Sequence, residues 1–253
     1  MNVNKELNYL SFKKLDKYDV INLYTTKPYN FRLEQISDED RNKQYKKIEE
    51  SLNHKFKNII SPIQKHTNNV VIVNEDNINN DFFNTDGLIT NLKNVALVTK
   101  LADCQGIILL DKKLGVIGNI HSGWMGTLNR ILSNAIDLFI KNYNSNINDI
   151  EIFISPSILS CCFEVDEDVK DMFLNNFEDI DIKSCIKIGD IKNNKQKYFI
   201  DTTKVNELVS INLGIKKEHI IISNICSKCN SNILHSHRSN NNAGRNILLV
   251  CLK

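Results

Sequence analysis

The sequence contains little of what breaks regular structure or marks a specialised environment. Its 253 residues include 9 Gly and 3 Pro, and no apolar run approaches the roughly 18 residues of a membrane helix. The first residues, MNVNKELNYL, lack the apolar segment of a secretory signal. Neither sign of charge is in excess, since 32 Lys+Arg face 30 Asp+Glu along the chain. We therefore expect a cytoplasmic protein with no nucleic-acid or membrane partner.

Cysteine is better represented, with seven residues in a chain long enough to fold around an apolar core without disulfides. The odd number and the expected location favour reduced thiols, whose functions are metal binding or catalysis. The adjacent Cys161 and Cys162 would face opposite ways in an extended chain, so we expect one in the core and one near a site. We interpret Cys185 and Cys251 as packing residues.

The hydrophobic pattern predicts an α/β (α+β) protein, a single domain of mixed β-sheets layered with helices. No repeat, linker or low-complexity segment divides the chain. Three strands, at residues 95–98, 106–110 and 115–120, follow one another closely and are expected to be antiparallel. Further strands are predicted at residues 70–73, 151–154, 198–200, 220–225 and 247–252, and helices at residues 37–52, 127–139, 165–177 and 203–213.

Candidate functional residues stand where these strands end. Asp103 and Cys104 fill the polar break between two strands, and His121 closes the next strand. Gly123 and Trp124 follow, leading into a helix whose free backbone N–H groups would suit an anion. Gly-x-x-Gly turns are common, however, and His121 is equally compatible with an ordinary buried or turn histidine.

His66 could complete a metal site with Cys104 and His121. Two imidazoles and one thiolate form the ligand set of a catalytic zinc that keeps its fourth position open. The gaps of 38 and 17 residues match no local zinc-finger spacing, so the residue types alone do not decide whether the three side chains meet.

Several segments, in one order along the chain, resemble the laccase-domain (YfiH-like) family. Residues 86–90 are similar to its DGLVT element, residues 102–104 to TADC, and residues 121–126 to HAGWRG. Gln64 and His66 stand where the family has QxH. The last elements, similar to GPxIGxCCYEV, CT, SYRR and TGR, lie at residues 155–165, 226–227, 236–239 and 243–245. The resemblance spans residues 36–253, and we assign residues 1–35 to the same domain as an N-terminal segment without recognisable motifs.

This family was once described as multicopper polyphenol oxidases and is now regarded as purine nucleoside phosphorylases. The resemblance implies a YfiH-like, CNF-like α/β/β/α fold and a zinc ion held by His66, Cys104 and His121. It implies phosphorolysis of adenosine, inosine and guanosine to the base and ribose 1-phosphate, with methylthioadenosine cleavage and adenosine deamination as further activities. The implied partners are therefore small molecules, a purine nucleoside and phosphate.

The other site residues are assigned roles on the same basis. Asp103 is expected to act as an acid or base or to support the metal ligand beside it, or else only to cap its turn. Arg238 and Arg245 are candidates for phosphate or ribose contacts because a guanidinium binds oxygens in pairs. Gln64, Gly123 and Trp124 are the remaining candidates for substrate binding.

The sequence also departs from the family pattern. Met125 replaces the Arg of HAGWRG, which removes one cation from the loop expected to bind an anion. His237 and Ser239 replace the Tyr and second Arg of SYRR, and Ser155 and Leu159 replace two glycines. These changes leave the expected metal ligands intact, so metal binding is better supported than phosphorolysis.

Other interpretations stay open at this point. Cys104 and His121 could be the nucleophile and base of a cysteine hydrolase or amidase, and the altered loops could leave a non-catalytic purine-binding module. A closed zinc site of Cys226, Cys229, His235 and His237 is less favoured than buried cysteines. Laccase chemistry is not favoured, because 6 His are too few for a multicopper centre, although Cu²⁺ could bind adventitiously.

Overall fold

Two six-stranded mixed sheets form the centre of the computed structural model, which describes residues 1–4 and 8–253. Residues 5–7 of the N-terminal segment lie outside the described residues. With strands numbered in chain order, the first sheet runs β1 (Asn2–Asn4), β2 (Tyr9–Ser11), β3 (Val20–Thr25), β15 (Asn246–Leu252), β7 (Val95–Leu101) and β4 (Asn58–Ile60). The second runs β14 (Ile220–Ile222), β10 (Ile150–Ile154), β8 (Gln105–Asp111), β9 (Val116–Ser122), β6 (Gly87–Thr90) and β5 (Val70–Ile72).

A smaller sheet and five α-helices complete the architecture of the described residues. Three strands form the small sheet in the order β11 (Glu164–Val165), β13 (Lys195–Ile200) and β12 (Ile186–Lys192). The helices are α1 (Asp38–Leu52), α2 (Trp124–Leu128), α3 (Ile131–Tyr143), α4 (Glu167–Asn176) and α5 (Thr202–Asn212). Short 3-10 turns lie at Lys13–Tyr18, Ile147–Asp149, Ile182–Cys185 and Lys217–His219. No helix among the described residues has the length and apolar character needed to cross a membrane.

The central strands are apolar on both faces because the two sheets stack on each other and helices cover them outside. In β7, Leu97 packs into the core between the sheets, whereas its neighbour Val98 packs into the layer that contains Ile48 of α1. In β8, Ile108 faces the same central core and Ile107 packs with α3. This alternation with a period of two residues produces four layers, helix, sheet, sheet and helix. The predicted fold class is confirmed.

Several local predictions are also confirmed. Helix α1 begins after Ser37, whose side chain accepts a hydrogen bond from the backbone N–H of Asp40. Strands β8 and β9 pair in antiparallel fashion. Helix α5 is followed by Gly214 in a left-handed conformation at φ 101°.

The expected antiparallel order of the three consecutive strands is wrong for the first of them. Strand β7 belongs to the first sheet, between β15 and β4, whereas β8 belongs to the second. Residues 102–104 join the two sheets, and Asp103 there has a left-handed φ of 86°. A short connection therefore crosses between layers where a hairpin was expected.

The helix predicted after Gly126 is two helices. Arg130 adopts φ 57° and separates α2 from α3. Leu128 of α2 packs with the small sheet, whereas Ile131 and Leu132 of α3 pack on the second sheet, so each half follows its own layer. The helix predicted at residues 165–177 likewise begins only at Glu167, because Val165 pairs with Tyr198 as a strand.

Candidate metal centre and its cavity

The sheet ladder brings Cys104 and His121 together. In the pairing of β8 with β9, Gly106 lies opposite His121 and Gln105 opposite Ser122. Cys104, directly before β8, is thereby held beside the end of β9. Gly123 follows β9 without a side chain, and a Cβ there would lie 3.1 Å from Cys104 Sγ and 3.0 Å from the His66 ring. Glycine at this position therefore leaves room for the three side chains to approach.

His66 reaches the same place from the loop before β5. Its Nε2 lies 3.9 Å from Cys104 Sγ, and its ring is edge-on to that of His121 with 4.9 Å between the centroids. One ligand atom from each of the three residues lies within 4.8 Å of the others. A tetrahedral zinc with its usual bond lengths would separate a sulfur and a nitrogen ligand by about 3.6 Å. The donor types and their spacing therefore fit one divalent ion with a free coordination position.

Asp86, directly before β6, organises both histidines. Its Oδ1 lies 2.8 Å from His121 Nδ1, which leaves His121 Nε2 to face the other ligands. The same carboxylate accepts hydrogen bonds from the backbone N–H groups of Lys65, His66 and Thr67. This is the usual arrangement of a carboxylate behind a metal-binding histidine. It also holds His66 at φ 60°, a conformation uncommon for a residue with a side chain.

The buried groups shift one another's protonation. Burial raises the pKa of the Cys104 thiol, but the charge of His121 and hydrogen bonds from both histidines outweigh it and lower the pKa to about 6. Burial lowers the pKa of His121, yet Cys104 and Asp86 raise it to about 9. Burial also opposes ionisation of Asp86, but hydrogen bonds from His121 and Thr67 hold its pKa well below the usual range. The cluster therefore favours a thiolate, as a metal ligand or a nucleophile requires.

Asp103, which lines the cavity beside this cluster, connects three loops. Its Oδ1 accepts from the Ser227 hydroxyl and its Oδ2 from the backbone N–H of Arg238, each at 2.6 Å. Its carbonyl oxygen accepts from the N–H of Ile158. Because both carboxylate oxygens accept strong hydrogen bonds, the structure places Asp103 as a brace for the surrounding loops.

A cavity of about 830 Å³ opens beside the three candidate ligands. Its wall includes the candidates Gln64, Trp124, Arg238 and Arg245, together with Lys100. Gln64 uses its amide on the backbone of Lys100, with bonds of 2.8 and 3.0 Å, so it supports the wall. Trp124 also packs against the core of the small sheet.

Three cations of this wall are held by neutral acceptors. Arg238 Nη1 donates to the carbonyl oxygens of Cys162 and Glu164, and Arg245 Nη1 donates to those of Ala243 and Gly244. Lys100 donates to the Ser61 hydroxyl and the Pro62 carbonyl, and burial lowers its pKa to about 8. Within the described residues none of the three forms an ion pair, so their positive charge remains available to an anion in the cavity.

Two residues of this site, Asp86 and Lys100, have no role assigned from the sequence. Asp86 lies in the DGLVT-like segment, and the signal for it is an acid directly before a fully buried strand. The signal for Lys100 is a charged residue near the end of an apolar strand. Met125, which replaces the family's Arg, lies on the cavity wall and is 37% exposed.

The fold and this cluster define a layered α/β protein with a candidate Cys/His metal centre beside a cavity lined by charged side chains of both signs. The sequence model of the family described as multi-copper polyphenol oxidoreductase laccase matches residues 28–253. The chain therefore belongs to the laccase-domain family, as its motifs indicated.

Named relatives agree with this membership. A protein of Borreliella burgdorferi named purine nucleoside phosphorylase is 32% identical over 231 residues, which cover 91% of this chain and 90% of that protein. A protein from an unknown prokaryotic organism named adenosine deaminase RL5 is 26% identical over 198 residues, covering 74% and 72%. The crystal structure of hypothetical protein YfiH from Bacillus licheniformis superimposes with a TM-score of 0.87 at 24% identity, covering 97% of both chains. This last likeness concerns the fold alone.

Proposed function

We propose that the protein is a zinc-dependent purine nucleoside phosphorylase that also deaminates adenosine. The observation that carries the proposal is the convergence of His66, Cys104 and His121 on one wall of a cavity that also presents unpaired cations. The names of the relatives, purine nucleoside phosphorylase and adenosine deaminase, support the same two reactions. In this proposal residues 1–35 belong to the catalytic domain, because β3 is hydrogen-bonded between β2 and β15.

The residues present would hold zinc through one sulfur and two nitrogens. When bound, a zinc ion supplies Lewis-acid chemistry that polarises a substrate oxygen and activates water for deamination. Asp86 keeps His121 in the tautomer and orientation that binding requires. Asp103 acts as a positioning residue in this scheme, since its two oxygens are engaged by Ser227 and Arg238.

The cations provide the binding site for phosphate. Arg238, Arg245 and Lys100 line the cavity and form no ion pair with any residue that the structure describes, and a guanidinium binds phosphate oxygens in pairs. Apolar side chains on the same wall, among them Phe163 and Val165, offer a surface for the flat purine ring. A phosphate held by the cations can attack the ribose carbon as the purine leaves, giving ribose 1-phosphate and the free base.

The test is the phosphate dependence of product formation. Purified protein is incubated with adenosine, inosine, guanosine or methylthioadenosine, with and without phosphate. We expect the free base and the sugar 1-phosphate only with phosphate, ribose 1-phosphate from the three nucleosides and 5-methylthioribose 1-phosphate from methylthioadenosine, and inosine from adenosine without phosphate. Metal analysis should find one zinc ion fewer per chain in His66→Ala than in the parent protein. Absence of all these products from zinc-loaded protein would overturn the proposal.

One observation favours a second candidate, a metal-independent cysteine hydrolase. Cys104, His121 and Asp86 form a thiol, imidazole and carboxylate series, and His121 lowers the pKa of the thiol to about 6. A nucleophilic Cys104 would react with iodoacetamide in the protein as purified and need no metal. A ligand thiolate would be protected until zinc is chelated. Retained activity after complete chelation would favour the hydrolase.

A further inference from the structure

A second group of thiols lies outside the site described above. Cys161 and Cys162 stand in the loop after β10, and Cys226 and Cys229 in the loop after β14. Strands β10 and β14 are parallel neighbours, with Ile154 opposite Ile222. Chains leaving parallel strands emerge at the same edge of the sheet, so these two loops meet. The bridge between Ser157 and Cys226 continues the contact beyond the strands.

The four sulfur atoms all lie within 4.8 Å of one another. Cys229 Sγ is 3.5 Å from Cys162 Sγ and 3.8 Å from Cys161 Sγ. Four thiolates bound tetrahedrally to zinc at the usual 2.3 Å are separated by about 3.8 Å along each edge. The separations of 3.5 and 3.8 Å are therefore close to two edges of such a tetrahedron, and the 4.8 Å limit leaves the other edges within reach.

Local backbone geometry explains how adjacent cysteines can share one centre. The N–H groups of Cys162 and Phe163 both donate to the Leu159 carbonyl, so the chain turns at residues 161–162 and is not extended. The alternation expected for an extended chain is therefore wrong, and both side chains reach the same point. On the other loop, Cys226 and Cys229 have the Cys-x-x-Cys spacing common in structural zinc sites.

Hydrophobic packing accounts for only two members of the group, Cys226 and Cys162, which pack with the core of the small sheet. A free cysteine that serves as a packing residue is usually buried, as Cys185 is at 2% exposure. In the cluster only Cys226 is buried, whereas Cys161 and Cys229 are exposed. Deprotonated thiols this close repel one another unless they share a cation. Both tetrahedral spacing and partial exposure fit ligands of one ion.

We propose that Cys161, Cys162, Cys226 and Cys229 bind one structural zinc ion as a closed tetrathiolate site, separate from the centre at His66, Cys104 and His121. The histidines considered with Cys226 and Cys229 from the sequence are not part of it. His235 instead lies 2.8 Å from the Tyr29 carbonyl through its Nε2. With four protein ligands, the site has no position for a substrate and acts by holding its two loops together.

These loops shape the wall of the cavity. Arg238 donates to the carbonyl oxygens of Cys162 and Glu164, and its guanidinium lies 5.4 Å from the centroid of the Phe163 ring. Next to Cys226, Ser227 donates to Asp103, the brace beside Cys104. The tetrathiolate would therefore fasten the segments that carry Phe163 and Ser227, which contact Arg238 and Asp103, and its loss should loosen this side of the cavity.

The test is metal content in variants of the full chain, purified without added metal. We expect Cys229→Ser to lose one zinc ion per chain relative to the parent, whatever the occupancy of the histidine site. His66→Ala should retain that ion. Cys185→Ala, which removes a cysteine from the neighbouring core, should match the parent. An unchanged zinc content in Cys229→Ser, or iron in place of zinc, would overturn the assignment.

A second measurement avoids the chance that Cys229→Ser fails to fold. In His66→Ala protein, a mercurial thiol reagent should release zinc as the cluster thiols react, and cobalt substitution should give the thiolate-to-cobalt charge-transfer bands of a tetrahedral site. Rapid alkylation of all four cysteines without a chelator would contradict the proposal. So would a disulfide between Cys162 and Cys229 in freshly purified protein, detected by mass spectrometry. Both outcomes are independent of the proposed phosphorylase activity.

Discussion

The two thiol clusters of this protein contrast in ligands, support and access. The cluster at His66, Cys104 and His121 mixes one sulfur with two nitrogens, stands at strand ends and lines a cavity. The other has four sulfurs and lies on two loops, and its four cysteines are not among the residues that line that cavity. Mixed ligands with an open position suit catalysis, whereas four thiolates close the coordination sphere. We therefore infer one open and one closed metal site in the same chain.

The two clusters also differ in how the surrounding residues hold their ligands in place. Asp86 orients His121 and fixes the backbone of residues 65–67 through four hydrogen bonds to main-chain and hydroxyl donors. In the four-cysteine cluster, loop geometry and the short bridge at Ser157 carry the ligands. A catalytic centre must hold its geometry without metal, while a structural one can gain its order from the ion. The contrast therefore predicts different responses to mutation.

Removing a ligand of the mixed cluster should abolish activity. Several kcal/mol of Lewis-acid stabilisation correspond to about a 10³-fold loss in kcat/KM for Cys104→Ala or His121→Ala. Steady-state kinetics and thermal unfolding of the same samples would measure this loss and show a largely retained fold. Cys251→Ala, in the remote helix-covered layer, is the control and should keep full activity. Activity surviving in both ligand variants would remove the distinction between the clusters.

The support by Asp86 should be measurable as metal affinity. We expect Asp86→Asn to weaken zinc binding at the mixed cluster by about 10–100-fold, because the histidine loses the carboxylate behind it. Competition with a chromophoric chelator would measure it. Asp111→Asn is the matched control, since Asp111 is also fully buried but accepts from the N–H groups of Lys113 and Leu114. Equal losses in both variants would contradict a specific role for Asp86.

The thiol of the mixed cluster should also titrate unusually in metal-free protein. Because His121 and His66 lower the pKa of Cys104 to about 6, the reactive thiolate predominates above pH 6 and the unreactive thiol below it. Alkylation of Cys104, followed by mass spectrometry, should therefore rise with pH around 6. In His121→Ala the midpoint should move up towards 9, with about three- to sixfold slower alkylation at neutral pH. A midpoint near 9 in the parent chain would be incompatible with this coupling.

A small effect is expected where the chain lacks the family's cation. Met125→Arg would add a charge at the rim of the cavity, and one exposed charge contributes about 0.2–1 kcal/mol. The KM for phosphate should fall by at most about fivefold, as kinetics at varied phosphate would report. Met125→Leu is the neutral control. A KM that is unchanged or higher in the arginine variant would show that phosphate binds elsewhere.

How far the fold follows from sequence depends on the range of the interactions involved. Helix α1 was predictable because its Ser37 cap and polar face are local features. Strand β3 was missed, although all its residues are buried, since its sequence VINLYT shows neither a strict alternation nor a continuous apolar run. The location of β7 in the first sheet depends on its pairing with β15, almost 150 residues away in the chain, which local patterns do not encode.

The candidate site shows the same division. Motif order alone identified the family and singled out His66, Cys104 and His121, because each stands in a segment whose residues resemble a known pattern. Only the folded chain shows that Asp86 lies behind His121, that Asp103 accepts hydrogen bonds from two distant loops, and that four cysteines from two loops converge. These relations arise from strand pairing between distant segments, and hydrogen bonds or sulfur contacts across such distances leave no spacing rule in the chain.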